Sequence, residues 1–177
     1  MDKFNPDKNI IMITASQLIA SLRLNVHPEG GYYLETYRSG EMISMESLPP
    51  RFGGERPFST AIYFLLKGNQ YSALHRIKSD EIWHFYHGVG LHLYLIHPDG
   101  RGEVLKLGND PDQGYSFQQV VPAGCWFGAR PVSKKGYSFV GCTVAPGFDF
   151  GDFELANRKE LLIQFPGHAE WIIRLTK

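Results

Sequence analysis

The sequence predicts an all-β fold, a sandwich or a jelly-roll barrel, with short helices only near its two ends. Strand-like runs recur at close intervals, and glycine, proline, asparagine or aspartate separates most of them. Helical patterns are confined to the region around residues 14–22 and to the tail after residue 152. A chain of 177 residues usually forms one domain with one sizeable core. We therefore expect a single domain over residues 1–177.

A capping box predicts the first helix. The segment Thr14–Gln17 has this pattern, and Leu18, Ile19 and Leu22 follow on one side of the helix. The segment 25–31 then breaks the helix with glycine and proline. A short helix therefore precedes the β-structure.

A strand and a long loop come next. Residues 32–38 are rich in aromatic and β-branched side chains, which favours a strand. Residues 42–57 hold three prolines, two adjacent glycines and several charges, which is typical of a long loop. The remaining predicted strands cover residues 61–66, 71–77, 81–87, 91–97, 103–107, 117–121, 125–129 and 137–144.

The tail from residue 152 to residue 177 changes from the strand pattern to a helical period. One or two short helices packed against the β-structure are therefore expected. The apolar residues of this pattern are Leu161, Leu162, Phe165, Trp171, Ile172 and Leu175.

The composition argues against several classes of function. Lysine plus arginine balance aspartate plus glutamate, 18 against 18, so no net field attracts nucleic acid or an anionic membrane. Cys125 and Cys142 show no paired metal-type spacing, which argues against a disulfide framework and a structural zinc site. Residues 1–13 lack the apolar run of a signal peptide or a membrane span. We expect a cytosolic protein with a small-molecule partner.

Two segments resemble the motifs of the cupin superfamily, small β-barrels with a central pocket. The segment 68–88 has a glycine at each end and places His75 and Glu81 at the spacing of the first cupin motif. The segment 121–127 resembles the second motif, in which a proline and a glycine precede a histidine. Phe127 stands at that histidine position. The resemblance implies a cupin jelly-roll β-barrel.

Three segments together resemble the cupin subfamily of predicted sugar epimerases, whose function is largely unsettled. They are residues 27–33, 75–83 and 144–149, spread over most of the chain. This resemblance implies removal of a proton next to the carbonyl group of a carbohydrate-like substrate. It also implies return of that proton to the other face of the molecule.

The metal-binding pattern of cupins is incomplete, since Ile77 and Phe127 replace two of its four ligands. First-row transition metals need about three protein ligands or more. We therefore expect no metal cofactor. The alternative is a divalent transition metal held by His75, Glu81 and His97. It requires a Gly-Val-Gly hairpin loop that places Glu81 opposite His97.

His75 and Glu81 form a candidate acid–base pair that needs no metal. A carboxylate fixes the tautomer of a neighbouring imidazole, so His75 is the candidate base and Glu81 orients it. The resemblance implies a tyrosine, such as Tyr63 or Tyr137, as the proton donor on the other face. Arg76 or a backbone amide is the candidate stabiliser of the enolate oxygen. The alternative is a pair that only satisfies its own hydrogen bonds.

Further residues are candidate contacts to the substrate. Trp126 and Phe127 are predicted to line an apolar wall suited to a sugar ring, or to pack in the core. His97 is a candidate pocket residue, and His27 a candidate contact at the rim. Tyr137 is a candidate contact as well as a proton donor.

Three functions follow from these predictions. They are a metal-independent epimerase or isomerase, a non-catalytic metabolite-binding protein, and a metal-dependent enzyme with an atypical ligand set. The outward residues Ile82, His84 and Tyr86, with their predicted partners on the next strand, are too aromatic for an ordinary solvated surface. A homodimer formed through this sheet is therefore expected.

Overall fold

The computed structural model describes residues 13–177. The expectation about targeting segments rests on residues 1–13, nearly all of which lie outside the described part. Within residues 13–177, no helix has the length and apolar character needed to cross a membrane. In chain order the helices and strands are α1 (Ala15–Ser21), β1 (Asn25–Val26), β2 (Tyr32–Arg38), β3 (Met42–Ile43), β4 (Arg56–Pro57), β5 (Thr60–Lys67), β6 (Ser72–Arg76), β7 (Asp80–Gly88), β8 (Leu91–Ile96), β9 (Gly102–Leu107), β10 (Gln118–Val121), β11 (Trp126–Pro131), β12 (Tyr137–Ala145), β13 (Glu154–Leu155), α2 (Arg158–Gln164) and α3 (Ala169–Leu175).

Two antiparallel sheets face each other across the main core, as in a jelly roll. One sheet has the order β1-β2-β5-β12-β7-β10, and the other has the order β13-β6-β11-β8-β9. The two sheets do not close into one hydrogen-bonded barrel. The predicted all-β fold with terminal helices is confirmed. Large core side chains between the sheets include Phe64, Trp83, Phe85, Leu91, Leu93, Leu95 and Phe127.

The helices cover the outer faces of the sheets. The predicted capping box is present, since the Gln17 N–H donates to Thr14 Oγ1 and the Thr14 N–H donates to Gln17 Oε1. Leu18 of α1 packs on the outer face of the six-stranded sheet. Leu161 of α2 and Ile172 of α3 pack over the outer face of the other sheet. Each helix is too short to persist alone, so this packing stabilises it.

The predicted hairpin between β7 and β8 is wrong, because these consecutive strands lie in different sheets. β7 pairs with β12 and β10, whereas β8 pairs with β11 and β9. At the turn, Gly88 has a φ of +98°, and a Cβ there would lie 2.0 Å from the carbonyl oxygen of Tyr137. The Val89 N–H donates to the same carbonyl, so the chain leaves β7 while held against β12. Glu81 therefore does not lie opposite His97, and the outward cross-strand pairs predicted for β7 and β8 do not form.

The predicted loop of residues 42–57 contains the β3–β4 hairpin and an anchor for the segment after β12. Nε and Nη2 of Arg56 each donate to a carboxylate oxygen of Asp152 at 2.6 Å. Lys78 adds a third contact, with Nζ 3.3 Å from Oδ1. Both Arg56 and Asp152 are buried, so the pair fixes residues 148–153, which cover one end of the core.

Candidate functional site

A cavity of about 300 Å³ lies between the two sheets at this end of the core. Its inner part carries the polar side chains His27, Glu29, His75, Glu81 and Cys142. A small cavity with few polar groups on aromatic walls is the usual form of a small-molecule site. The aromatic side chains that line it are Tyr33, Phe64, Trp83, Phe148, Phe150 and Phe153.

His75 projects from β6 into this cavity and is held in one tautomer. Its Nδ1 lies 2.7 Å from the carbonyl oxygen of Ala73, which can only accept, so Nδ1 carries a proton. Its Nε2 lies 3.1 Å from Oε2 of Glu29. The rings of Phe127 and Phe153 flank the imidazole, with centroids at 4.1 and 5.3 Å. The ring is therefore fixed, with Nε2 directed at a carboxyl group.

Glu29 is the partner of His75, and the sequence analysis did not identify it. Its Oε1 accepts a hydrogen bond of 2.8 Å from the hydroxyl of Ser72. Burial raises the pKa of Glu29, although His27 and Ser72 oppose this shift. Burial also lowers the pKa of His75. Because Nδ1 of His75 is already protonated, Nε2 and Oε2 share one further proton, and both shifts favour the neutral form of the pair.

A glycine turn brings Glu29 to His75 from the loop between β1 and β2. Gly30 has a φ of +115°, and a Cβ there would lie 2.4 Å from the carbonyl oxygen of Tyr71. Only glycine allows this approach. The Ala73 N–H donates to the carbonyl of Glu29, which joins the loop to the start of β6. His27, expected at the rim, is buried in the cavity with Nδ1 3.6 Å from Glu29 Oε2.

Glu81 and Trp83 lie two residues apart on the inward face of β7. Burial raises the pKa of Glu81 to about 7, with His75 opposing this shift and Glu29 adding to it. The indole N–H of Trp83 has no hydrogen-bond partner within residues 13–177. It lies near enough to the Glu81 carboxyl to favour the charged form of that group. No hydrogen bond or ion pair in the described residues joins Glu81 to His75, so Glu29 and Ala73, not Glu81, orient the imidazole.

The two candidate tyrosines lie outside the cavity. Side chains alternate along β5, so Tyr63 points outward, where its ring packs against Tyr86 and Phe139 with centroids at 6.0 and 5.4 Å. The hydroxyl of Tyr137 lies 2.8 Å from Nδ1 of His87, in the cluster under α1. The structure does not bring either tyrosine together with the imidazole and carboxyl groups of the cavity.

Three other candidates lie on the outer side of the five-stranded sheet or at its end. Arg76 Nε donates to Glu154 at 2.7 Å, and its guanidinium lies 4.5 Å from the ring centroid of Trp126. His97 Nε2 lies 3.0 Å from Glu103 Oε2. None of the three lines the cavity. Phe127, in contrast, is buried in the core against His75, as described above.

A second, shallow groove lies on the outer surface behind the cavity. Arg51, Lys78, Asp152 and Glu154 are among its charged lining residues. Ile77 lines both this groove and the cavity. One buried aliphatic side chain therefore separates the acidic interior from a charged surface.

Comparison with known proteins gives the family. Residues 16–156 match the family model of the cupin superfamily domain Cupin_5 (DUF985). The chain belongs to this cupin family. It is 33% identical over 162 residues to the uncharacterized protein YML079W of Saccharomyces cerevisiae, covering 85% of this chain and 79% of the yeast protein.

Solved structures agree with this assignment. Protein SO0799 from Shewanella oneidensis is 37% identical with a TM-score of 0.85, covering 94% of this chain and 99% of that chain. A hypothetical protein from Leishmania major is 34% identical with a TM-score of 0.84, covering 93% and 99%. An oxalate decarboxylase of Bacillus subtilis, 15% identical with a TM-score of 0.52, covers 86% of this cupin and 37% of the decarboxylase. That last likeness shows the fold alone.

The donor set of this cupin does not fit the metal ion that many cupins hold. Ile77 and Phe127 stand at two ligand positions and have no donor atoms, and the Phe127 ring packs against His75 instead. Nε2 of His75 is directed at Glu29. Within residues 13–177, no three His, Cys, Asp or Glu side chains are grouped so that they could hold a metal ion. His97, the alternative third ligand, lies outside the cavity.

Proposed function

We propose that this cupin is a metal-independent isomerase that moves a proton next to the carbonyl group of a small, carbohydrate-like substrate. One observation carries the proposal: the His75–Glu29 pair and Glu81 meet in the buried inner part of one cavity with aromatic walls. Two proton-exchanging groups whose environments shift their pKa values are the usual equipment of acid–base catalysis. The pKa of Glu81, about 7, suits such exchange at neutral pH.

The His75–Glu29 pair is the base in this proposal. The pair acts as a base after it has lost the proton that Nε2 and Oε2 share. Their lone pairs then face each other at 3.1 Å, which raises the affinity of the pair for a proton from the substrate carbon. The electrons of that C–H bond form the enolate, and Glu81 gives its proton to the carbonyl oxygen. The pair then returns its proton to the neighbouring carbon, and Glu81 recovers one from the neighbouring hydroxyl. All atoms and charges balance.

Isomerisation is favoured over the predicted route of epimerisation by the placement of the two candidate tyrosines. That route needs Tyr63 or Tyr137 as a second proton donor on the opposite face of the substrate, and both lie outside the cavity. A proton shift between neighbouring carbons on one face needs only one base. The His75–Glu29 pair supplies that base.

Proton exchange with solvent tests the proposal. The protein is incubated in D₂O with a panel of aldoses, ketoses and lactones, and loss of the C–H signal next to the carbonyl is followed by proton NMR. We expect exchange by the wild type and a loss of about 100-fold or more in Glu29→Gln and His75→Gln. The Arg76→Ala variant should exchange at the wild-type rate, because Arg76 lies outside the cavity.

Two results would contradict the proposal. One is exchange that a chelator abolishes and an added divalent metal restores. The other is an absence of exchange with every member of the panel.

A second candidate function is non-catalytic binding of a metabolite. Both oxygens of Glu29 already have partners, Ser72 and His75, as in a network that serves only structure. This candidate predicts that Glu29→Gln keeps the affinity for a bound metabolite, and that no substrate exchanges a proton.

A further inference from the structure

We propose that Trp83 is a catalytic hydrogen-bond donor, whose indole N–H forms with the Glu81 carboxyl a cradle for the carbonyl oxygen of an uncharged substrate. This inference rests on the proposed function and specifies which atoms bind the enolate. Glu81 stands at a metal-ligand position of the cupin motif, and Trp83 lies two residues further along the same strand. They supply the electrophile that a metal supplies in other cupins.

The Trp83 side chain is a buried donor without a partner. It is 1% exposed and lines the cavity, and its N–H forms no well-aligned hydrogen bond within the described residues, although it lies close enough to the Glu81 carboxyl to lower the pKa of that group. Such groups are rare, because the N–H has lost its hydrogen bonds to water. The rings of Phe64 and Phe127 pack edge-to-face on the indole, with centroids at 5.7 and 6.4 Å. The ring is therefore fixed with its N–H available to a ligand.

The position of Glu81 and Trp83 in the sheet keeps both donors rigid. β7 lies between β12 and β10, and both residues pair with each neighbouring strand. A donor held in place before the reaction stabilises a developing oxyanion without reorganisation. A buried carboxylic acid that remains protonated near pH 7 can serve as such a donor. Burial raises the pKa of Glu81 in this direction.

The charges around the cavity favour an uncharged substrate. Arg38 is the cation among the described lining residues, and its Nε and Nη2 donate to Glu35 at 2.9 and 2.7 Å. Its Nη1 donates to the carbonyl of Phe148. A phosphate or carboxylate group would therefore enter the cavity without a free arginine or lysine to pair with among the described lining residues. The negative charge of an enolate oxygen is stabilised only where the Trp83 N–H and the Glu81 carboxyl converge.

An enolate mimic tests the cradle. The probe is 3,4-dinitrophenol, which is mostly ionised at about pH 6, presents a phenolate oxygen that carries part of the negative charge, and changes absorbance on binding. We expect the wild type to bind it with a Kd below about 1 mM at pH 6, and at least tenfold more weakly at about pH 8.5, where Glu81 is ionised. Trp83→Phe should weaken binding at pH 6 about tenfold or more. 3,4-Dinitrobenzoate should bind much more weakly than the phenolate.

Two variants serve as controls. Trp126→Phe removes the other buried indole N–H without a partner, which lies outside the cavity, and should bind the probe like the wild type. Glu81→Gln is the control for protonation and should show a smaller difference in affinity between about pH 6 and about pH 8.5 than the wild type, because the group at position 81 no longer titrates. Equal binding by Trp83→Phe and the wild type overturns the inference, as does an absence of binding by the wild type at about 1 mM.

NMR of the wild type covers the case in which Trp83→Phe does not fold. The indole ¹⁵N–H signal of Trp83 is the one that persists in both Trp126→Phe and Trp171→Phe. It should move downfield when the probe binds, and an unmoved signal overturns the inference.

If the phenolate binds through Trp83 but no carbonyl compound exchanges a proton, only the proposed function fails. If exchange is equally fast in the wild type and Trp83→Phe, only the cradle fails.

Discussion

Two histidine–glutamate pairs of almost identical geometry differ in what surrounds them. Nε2 to carboxylate distances are 3.1 Å in His75–Glu29 and 3.0 Å in His97–Glu103. The glutamate side chain is 7% exposed in the inner pair and 38% exposed in the outer pair. Burial raises the pKa of Glu29, whereas hydrogen bonds from His97 and Arg101 lower the pKa of Glu103. Environment, not distance, shifts the pKa values of the two glutamates in opposite directions.

The largest expected difference between the two pairs is in stability. Glu29→Ala should lower the free energy of unfolding by about 3 kcal/mol, because it leaves Ser72 and His75 buried without a partner. Glu103→Ala should cost less than about 1 kcal/mol, because solvent screens an exposed pair. Urea unfolding at neutral pH measures both values. Equal losses would show that burial does not separate the pairs.

The next effect concerns the pH dependence that Glu81 adds to the inner site. Its folded pKa is raised to about 7, so the folded state keeps this proton while the unfolded state loses it, and stability falls as pH rises from about 4.5 to 7. Glu81→Gln removes this loss. The free energy of unfolding of Glu81→Gln minus that of the wild type should therefore be up to about 3 kcal/mol larger at pH 8 than at pH 4. A pH-independent difference in urea unfolding would contradict the raised pKa.

The smallest effect is the opposite pH dependence of the outer pair. Because the folded pKa of Glu103 is lowered, its stabilisation is present above the ordinary carboxyl pKa and is lost as pH falls through the lowered value. Glu103→Gln should cost less than about 1 kcal/mol at pH 7 and nothing in acid. About 1 M salt should remove the difference at pH 7. A salt-insensitive cost would mean that the pair is more shielded than its exposure indicates.

Local sequence patterns predicted the elements but not their partners. The capping box at Thr14 and the alternation along β5 and β7 depend on residues a few positions apart, and the structure has them. The partner of β7 depends on β12, about 50 residues further along the chain. A Gly-Val-Gly turn looks like a hairpin from its own residues. Only the contact of Gly88 with Tyr137 shows that the chain changes sheets there.

For the candidate site too, the sequence predicted residues at local motif positions but not the contacts between distant segments. His75 and Glu81 stand at motif positions, and the structure brings both into the cavity. Glu29 lies in the segment 27–33 that carries the family resemblance, but its role was not identified. Its partners, Ser72 and His75, lie more than 40 residues away, and a His-Pro-Glu-Gly-Gly loop has no local pattern of a buried carboxyl group. The adjacent glycines, which allow a close approach of backbones, were the available signal.

Ile77 has a consequence for the dielectric environment of the whole site. It is 5% exposed and forms the partition between the cavity and the charged outer groove. A shorter side chain at this position would open a channel through which bulk solvent hydrates the carboxyl groups. Hydration would return Glu81 towards ordinary acidity, since desolvation is the main cause of its shift. The residue that takes the place of a metal ligand thus insulates the chemistry of the groups behind it.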